Sequence, residues 1–335
     1  MTTDRLSRLR KDATRLAGSA SPPQDWEDAR RSIERQKVRS GPDGLRSAWS
    51  DRIFSSAIRA FDLGTRLTGV HAWGKRNALD IRLVDLSLSF PDLPPSFDGY
   101  RILHLSDTHL DCLPELAPIA ARLLAGVEVD LLALTGDVHG TLRAPLLAST
   151  TPLSELLEGV RVKDRRLAVL GNHDPTDMAK ALEKLGFDVL LNRSITLKRG
   201  KQKIVVTGLD DVHRFFTANA LSALREAPDG FRVAVVHSAE VADHAAAAKY
   251  ALYLCGHTHG GQICLPGGRP IVTRLRRCRH AGVGIWNEGR MIGYTSRGLG
   301  VRDVPLRFNC RGEISVITLQ RAPHNDRSGH QRTFS

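Results

Sequence analysis

One pattern constrains this chain more than any other. Between residues 101 and 259, a short apolar run repeatedly ends in glycine or a small polar residue together with Asp, Asn or His. In the clearest case, residues 130–135 lead into Gly136 and Asp137. A run of this length is typical of a buried strand, with the glycine as a turn signal. An ionised Asp at such a place is costly unless a cation lies beside it. The pattern therefore predicts buried strands that carry functional side chains at their ends.

The apolar runs alternate with segments of helical periodicity. The expected strands are 101–106, 130–135, 166–170, 187–191, 203–208, 231–236 and 251–254. The expected helices lie near 114–125, 176–185, 217–225 and 240–248. Such alternation indicates a layered α/β domain in which helices cover the sheets. After residue 260, Gly-rich turns separate the expected strands near 283–286, 291–295 and 313–319.

Residues 1–95 differ in composition and are interpreted as a basic N-terminal extension. The first forty residues predict a mobile basic arm or a loose helix. Near 52–67, apolar residues at helical spacing alternate with arginines, which predicts an amphipathic helix. Such a helix lies either on an anionic membrane or on its own domain, and both interpretations stay open. The main domain is expected at 96–320, followed by a disordered tail at 321–335.

Composition narrows the functional classes. The formal charge of +12 suggests an anionic partner, whether a phosphate ester, an anionic lipid surface or a nucleic acid. No nucleic-acid-binding motif is present and aromatic residues are only 5%, so specific nucleic-acid binding is not expected. The five cysteines include no CxxC pair, which favours a reducing compartment. We expect a cytoplasmic protein, with peripheral contact at the inner face of the membrane as an open option. The sequence says nothing about oligomeric state.

Side chains suited to metal binding follow five of the expected strands. They are Asp107, His109, Asp137, Asn172, His173, His237, His257 and His259. In open α/β sheets, functional residues gather beyond the carboxyl ends of the strands. Carboxylate, amide and imidazole ligands without Cys suit Mn, Fe or Zn. The donors are too many for one tetrahedral ion but enough for two ions that share a carboxylate. Two ions about 4 Å apart are suited to phosphoryl displacement.

In chain order these residues spell DxH, GD, GNH, a lone H and GHxH. This pattern resembles that of the calcineurin-like metallophosphoesterases, over residues from about 99 to 319. The resemblance implies a four-layer α/β/β/α sandwich of two mixed sheets flanked by helices. Residues 256–262, 295–300 and 305–308 are similar to a bacterial branch that includes membrane-associated phosphodiesterases. Some members of that branch cleave UDP-2,3-diacylglucosamine in lipid A synthesis.

The resemblance also implies a role for each residue. The implied ligands of the first ion are Asp107, His109 and His259. The implied ligands of the second ion are Asn172, His237 and His257. Asp137 would bridge the two ions, and a metal-bridging hydroxide would attack phosphorus. His173 would stabilise the phosphoryl oxygens or protonate the leaving group.

One position departs from the family pattern. Many members carry a second Asp three residues after the bridging Asp, where it orients the catalytic His. This chain has Gly140 at that position. Asp174 and His139 are the candidate substitutes, because a catalytic side chain normally needs a partner that fixes its orientation.

The function predicted from these observations is a binuclear metal-dependent phosphohydrolase acting on phosphodiester or pyrophosphate bonds. A lipid-linked substrate such as UDP-2,3-diacylglucosamine is the first expectation. The alternatives are a cyclic-nucleotide or other nucleotide phosphodiesterase and a non-catalytic scaffold with the same fold. A basic cluster could form a substrate-binding rim or a solvated loop, and both interpretations stay open. The candidate substrate-binding residues of this cluster are Arg274, Arg276 and Arg277, and Arg297 beside the later Gly-rich turn is a fourth candidate.

Overall fold

The fold is built on two six-stranded sheets. The structure, a computed structural model, describes residues 24–40, 48–140, 142 and 144–322. From edge to edge, the first sheet contains β1 (Arg82–Phe90), β12 (Glu313–Arg321), β2 (Tyr100–Leu105), β3 (Glu128–Thr135), β4 (Arg161–Val169) and β5 (Asp188–Val189). Only the pairing of β12 with β2 is antiparallel in this sheet.

The second sheet is also mixed. Its strands, from edge to edge, are β10 (Gly284–Glu288), β11 (Met291–Thr295), β9 (Leu252–Cys255), β8 (Phe231–Val235), β7 (Gln202–Gly208) and β6 (Arg193–Arg199). The two outer pairings, β10 with β11 and β6 with β7, are antiparallel, and the inner strands run parallel.

Helices cover the outer faces of both sheets. The helices of the described residues are α1 (Gln24–Ser40), α2 (Ala48–Leu67), α3 (Val70–Leu79), α4 (Leu116–Leu124), α5 (Leu147–Leu157), α6 (Met178–Lys184), α7 (Ala218–Arg225) and α8 (Ala242–Ala247). Short 3₁₀ turns occur at Pro95–Phe97, Ala239–Val241, His259–Gly261 and Arg279–Ala281. Helices α4, α5 and α6 pack on the first sheet, and α7 and α8 pack on the second.

Strand β3 shows why the predicted runs are continuously apolar. Leu131 and Ala133 point into the core between the two sheets, whereas Leu132 and Leu134 pack under the helices of the first sheet. Both faces of a parallel strand are buried in such an arrangement, so neither face needs polar residues. The expected four-layer α/β/β/α sandwich is therefore confirmed.

Every strand and helix expected from the sequence is present, most with shifted ends, but others were missed. The missed elements are β1, β6, α3 and α5. Strand β1 pairs in parallel with β12, so the first sheet begins before the domain boundary expected at residue 96. Residues 24–40 form the helix that was one of the two expectations for this part, but its Arg30 is buried, so the helix packs on the domain and is neither loose nor a mobile arm. Residues 1–23 and the expected tail from 323 onward lie outside the described residues.

The expected amphipathic helix corresponds to α2. Ile58 packs against a small apolar cluster formed by Val304, Leu306 and Phe308. Farther along, Leu63 is 57% exposed and Leu67 is 79% exposed, so one part of the helix packs on the domain and another faces solvent. The side chains of its first turns, Ile53 and Phe54 included, lie outside the described residues. Within the described part of the chain, no helix is both long and apolar enough to cross a membrane.

Candidate metal centre

The predicted ligands meet at one edge of the sandwich. Each follows the carboxyl end of β2, β3, β4, β8 or β9, so residues far apart in sequence become neighbours. The side chains form two buried groups, and within each group the ligand atoms lie within 4.8 Å of one another. The first group is Asp107, His109 and His259. The second group is Asp137, His237 and His257. The seventh predicted ligand, Asn172, places its Oδ1 3.1 Å from His237 Nε2.

Five of these ligands have a left-handed backbone. The φ angles are 48° at Asp107, 37° at His109, 51° at Asp137, 73° at His257 and 52° at His259. Residues other than glycine seldom adopt positive φ, and each instance costs about 1–3 kcal/mol unless the surroundings impose it. The chain accepts this strain where it must turn sharply at a strand end and still direct a side chain back towards the sheet edge.

Glycines in the motifs permit the close approach of these turns. A Cβ at Gly136 would overlap the backbone of Gly171, and one at Gly171 would overlap the Asp137 carboxylate. A Cβ at Gly256 would overlap Ser106 and the Asp107 carboxylate. The GD, GNH and GHxH motifs therefore require glycine for steric reasons.

The orientation of two imidazoles tests whether metal ions fit here. Nδ1 of His109 lies 2.9 Å from the His139 carbonyl oxygen, and Nδ1 of His237 lies 2.8 Å from the Thr135 carbonyl oxygen. A carbonyl only accepts, so each Nδ1 carries the proton and each neutral ring presents a lone pair at Nε2. These Nε2 atoms face Asp137 Oδ2 at 3.6 Å and 3.4 Å. Lone pairs directed at a carboxylate repel it unless a cation lies among them, so the donor set fits divalent ions.

The pKa values of the metal-free site show the same need for positive charge. Burial raises the pKa of Asp107 to about 7. Burial acts to lower the pKa of His237, but the Asp137 and Asp107 carboxylates outweigh it and raise that pKa to about 10. Without metal ions, protons held by these groups therefore reduce the repulsion.

The His173 side chain contacts an arginine that the sequence did not connect with it. Arg302 Nε lies 3.1 Å from His173 Nε2, and Arg302 Nη1 donates to the Gly140 carbonyl oxygen at 3.2 Å. Burial and the Arg302 guanidinium hold the pKa of His173 well below its usual range. Arg302 thus contacts both His173 and the backbone at the position where the helper acid was expected. Only its place beside the Gly-rich turn 298–300 could have indicated it.

Asp174 and His139, the candidate substitutes for the missing Asp, form hydrogen bonds with groups other than the His173 ring. The Asp174 carboxylate accepts backbone N–H groups of Asp137, His139 and Gly171 at 2.8–3.0 Å. The ring of His139 lies within hydrogen-bonding distance of Ser149 Oγ and the Ala144 carbonyl. The Asp174 contacts connect the loops after β3 and β4, and the His139 ring contacts stay within the segment after β3, whereas the hydrogen bond to the His173 ring comes from Arg302.

Residue 140 is closely surrounded by the side chains of Asp111 and Cys112. The Gly140 N–H donates to both carboxylate oxygens of Asp111, at 2.9 and 3.0 Å. A Cβ at this position would overlap Cys112 Sγ and crowd Asp111. The family's second Asp at position 140 would therefore require these two side chains to move.

The structure separates the four arginines expected at a substrate rim. Arg274 lines the cavity at the metal centre and contacts Asp303 at 2.8 Å. Arg277 pairs with Asp243, and Arg297 pairs with Glu313 at 2.8 Å beside a different cavity. The backbone N–H of Arg276 donates to Glu240. Within the described residues, Arg274 is the member of this set that the structure brings to the metal centre.

Comparison with known proteins identifies the family. Residues 100–268 match the model of the calcineurin-like phosphoesterase superfamily domain. The chain belongs to the calcineurin-like phosphoesterase superfamily. An uncharacterized metallophosphoesterase of Bacillus subtilis, YkuE, is 31% identical over 68% of this chain and 82% of its own length. The phosphodiesterase YaeI of Escherichia coli is 26% identical over 66% of this chain and 82% of its own length.

Family membership confirms the predicted enzyme class. This chain is a metal-dependent phosphoesterase, a hydrolase of phosphorus esters or anhydrides. Enzymes of this superfamily use divalent metals, and the two ligand groups are where this chain would hold them.

Metal binding should release protons and strengthen as pH rises. Before a metal ion binds, Asp107 holds a proton below about pH 7 and His237 holds its second proton below about pH 10, because both pKa values are raised. Because ligands must lose these protons to bind a cation, Mn²⁺ affinity should increase between about pH 6 and about pH 8. Calorimetry in two buffers with different ionisation enthalpies measures the release. Constant affinity over this range, without proton release, would contradict the prediction.

Proposed function

We propose that this phosphoesterase holds two divalent ions and cleaves the phosphodiester or pyrophosphate bond of a lipid-linked substrate. The cavity at the metal centre supports this proposal best. It has a volume of about 350 Å³ and is lined by Asp137, Asn172, His173, His257 and His259. Apolar side chains also line it, so the site can bind a charged group and an apolar group together.

The metal half of the proposal rests on Asp137. Asp107, His109 and His259 would hold one ion, and Asn172, His237 and His257 would hold the other. The Asp137 carboxylate lies near ligands of both groups, with Oδ2 facing His109 and His237. Bound divalent ions, of which Mn, Fe and Zn suit the donors, would acidify a water molecule and neutralise charge on the phosphoryl group.

His173 and Arg302 form the second part of the proposed machinery. Both line the cavity, and burial together with the Arg302 guanidinium lowers the pKa of His173, which favours the neutral ring. A neutral imidazole donates a hydrogen bond to a phosphoryl oxygen but is a poor source of protons. We therefore assign His173 to stabilising the phosphoryl oxygens, with Arg302 fixing its ring and adding positive charge. Arg274 would attract the substrate at the edge of the cavity.

The apolar wall of the cavity supports the lipid portion of the proposal. It consists of Ala57, Ile58, Phe61, Ile263, Ile271, Val272 and Val304. Ile271 is 58% exposed and Val272 is 54% exposed, so apolar surface continues to the mouth of the cavity. Exposed neighbouring apolar side chains often mark ligand or membrane contact sites. UDP-2,3-diacylglucosamine, a substrate in lipid A biosynthesis, is the first compound to test.

Other exposed residues of α2 would allow peripheral contact with a membrane. Leu63 and Leu67 are exposed, and Arg66, which pairs with Asp62, lies between them in sequence. Apolar and cationic side chains on one helix favour an anionic membrane surface. A lipid-linked substrate could then enter the cavity without leaving the membrane completely.

The metal-dependent activity should disappear when the proposed bridging carboxylate is removed. With Mn²⁺, the protein should hydrolyse bis-p-nitrophenyl phosphate, and Asp137→Asn should lower kcat about a thousandfold or more because the shared anionic ligand is lost. Asp130→Asn is a matched control, since Asp130 lies at the other end of β3 and contacts Arg199. A screen of phosphomonoesters, diesters, cyclic nucleotides and nucleotide-linked lipids locates the preferred bond. Equal activity of wild type and Asp137→Asn would refute the assignment.

Arg302→Met tests the proposed partner of His173. Loss of this guanidinium should lower kcat about a hundredfold and raise the pKa of His173, because the neighbouring positive charge is removed. The acidic limb of the pH–rate profile should therefore move to higher pH. Arg277→Met is the control, since Arg277 pairs with Asp243 and should leave the profile unchanged. An unaltered kcat and profile in Arg302→Met would count against the pairing.

The apolar wall should matter only for substrates with acyl chains. The double variant Ile271→Ser and Val272→Ser should lower kcat/KM for UDP-2,3-diacylglucosamine about tenfold or more, because apolar contact area is lost. Its activity towards bis-p-nitrophenyl phosphate should stay the same. Leu147→Ser, at an exposed residue of α5, serves as the control. An equal loss on both substrates would argue against a lipid site, and a preference for cyclic nucleotides would support the alternative function.

A further inference from the structure

Helix α1 inserts an arginine behind the loop that follows β4. The Arg30 side chain is only 1% exposed, although it lies on a strongly charged helix outside the matched family domain. Its Nη2 donates to the carbonyl oxygens of Gly171, at 3.0 Å, and Asp174, at 2.8 Å. These two carbonyls bracket the segment that carries Asn172 and His173.

The rest of the guanidinium is fixed on the opposite side. Arg30 Nη1 forms a buried ion pair with Asp210, and its guanidinium carbon lies 3.7 Å from the centroid of the Phe215 ring. Trp26 Nε1 donates to the other Asp210 oxygen at 2.8 Å. A buried arginine is costly unless its donors are paired, and here Nη1 meets a carboxylate and Nη2 meets two carbonyls, while the buried Nε has no hydrogen-bond partner among the described residues. Arg30 therefore connects the loop after β4 with the loop after β7.

A second contact fixes α1 to the same loop. The Glu34 carboxylate, one helical turn after Arg30, accepts hydrogen bonds from the backbone N–H and the hydroxyl of Thr176. Helix α1 thus contacts the segment 171–176 on both sides of its turn. Arg30 is not among the described residues that line the cavity, so its contacts reach the loop backbone and not the substrate.

We propose that Arg30 is a positioning residue that holds Asn172 and His173 in place for the second metal ion. The inference rests on the proposed binuclear function, since Asn172 is assigned to that ion. The two carbonyls of the loop would otherwise need other donors, and the turn could relax away from the metal centre. Groups behind metal ligands typically change metal affinity or activity by about 10–100-fold when they are removed.

The test compares Arg30→Met and Arg30→Lys with wild type in the 335-residue chain. Calorimetry with Mn²⁺ measures both metal affinities, and bis-p-nitrophenyl phosphate gives kcat and KM. In Arg30→Met, the weaker Mn²⁺ affinity and kcat at limiting Mn²⁺ should each fall about 10–100-fold. The KM of Arg30→Met should stay within about twofold of the wild-type value, and excess Mn²⁺ should restore part of its kcat. The Mn²⁺ affinity and kcat of Arg30→Lys should lie between those of wild type and Arg30→Met, because one ammonium group cannot make all the hydrogen bonds of the planar guanidinium.

Arg31→Met is the matched control on the same helix. Arg31 pairs with Glu27 and Asp177 in a partly exposed position, where an ion pair contributes little. Its metal affinities and kcat should equal those of wild type. If Arg30→Met does not fold, Arg30→Lys carries the same comparison.

Wild-type affinity for both ions and unchanged turnover in the Arg30 variants would overturn the proposal, even with a lowered Tm. Binding of only one Mn²⁺ by wild type would also overturn it. If wild type binds two ions but hydrolyses no ester, the proposed function fails. The calorimetric comparison then still decides the role of Arg30.

Discussion

The buried carboxylate of Asp137 is the constraint on which the rest of the site depends. It lies at the end of β3, where water cannot solvate its charge, and its Oδ2 faces the Nε2 atoms of His109 and His237. Both imidazoles have their Nδ1 atoms bonded to backbone carbonyls, so their lone pairs are directed inward. Such a group of acceptors needs bound cations or additional protons to offset its repulsion. The left-handed backbone of the ligands and the motif glycines follow from the need to bring these atoms together.

A layer of hydrogen bonds behind the ligands keeps the strand ends in register. Asp174 connects the loops after β3 and β4 through backbone N–H groups, and Arg30 holds the carbonyls of the latter loop from behind. Arg302 reaches from the C-terminal part of the chain to His173 and Gly140. Thus a carboxylate and two arginines, all remote from one another in sequence, surround the segment that carries Asn172.

The two kinds of residue that line the cavity have different proposed roles: the metal ligands carry out the reaction, and the apolar residues select the substrate. The ligands come from strand ends whose spacing is set by the two sheets, so they serve the reaction common to the superfamily. The apolar residues come from α2 and from the segment around Ile271, which lie outside the strands. Such peripheral elements can change without disturbing the sheets, and this is why we place substrate preference there.

The sequence by itself determined the alternation of strands and helices and the order of the proposed ligands along the chain, because each is written in local periodicity and in motifs at strand ends. It did not reveal β1, whose partner β12 lies more than two hundred residues later. From the sequence, Arg30 belongs to a charged N-terminal segment and Arg302 lies beside a Gly-rich turn, and neither position predicts a contact with the loop after β4. The partners of both arginines are mainly backbone carbonyls and a histidine from distant segments, and backbone groups leave no signal in a sequence. Only the tertiary structure could decide those contacts, because they exist once the two sheets have brought their carboxyl ends together.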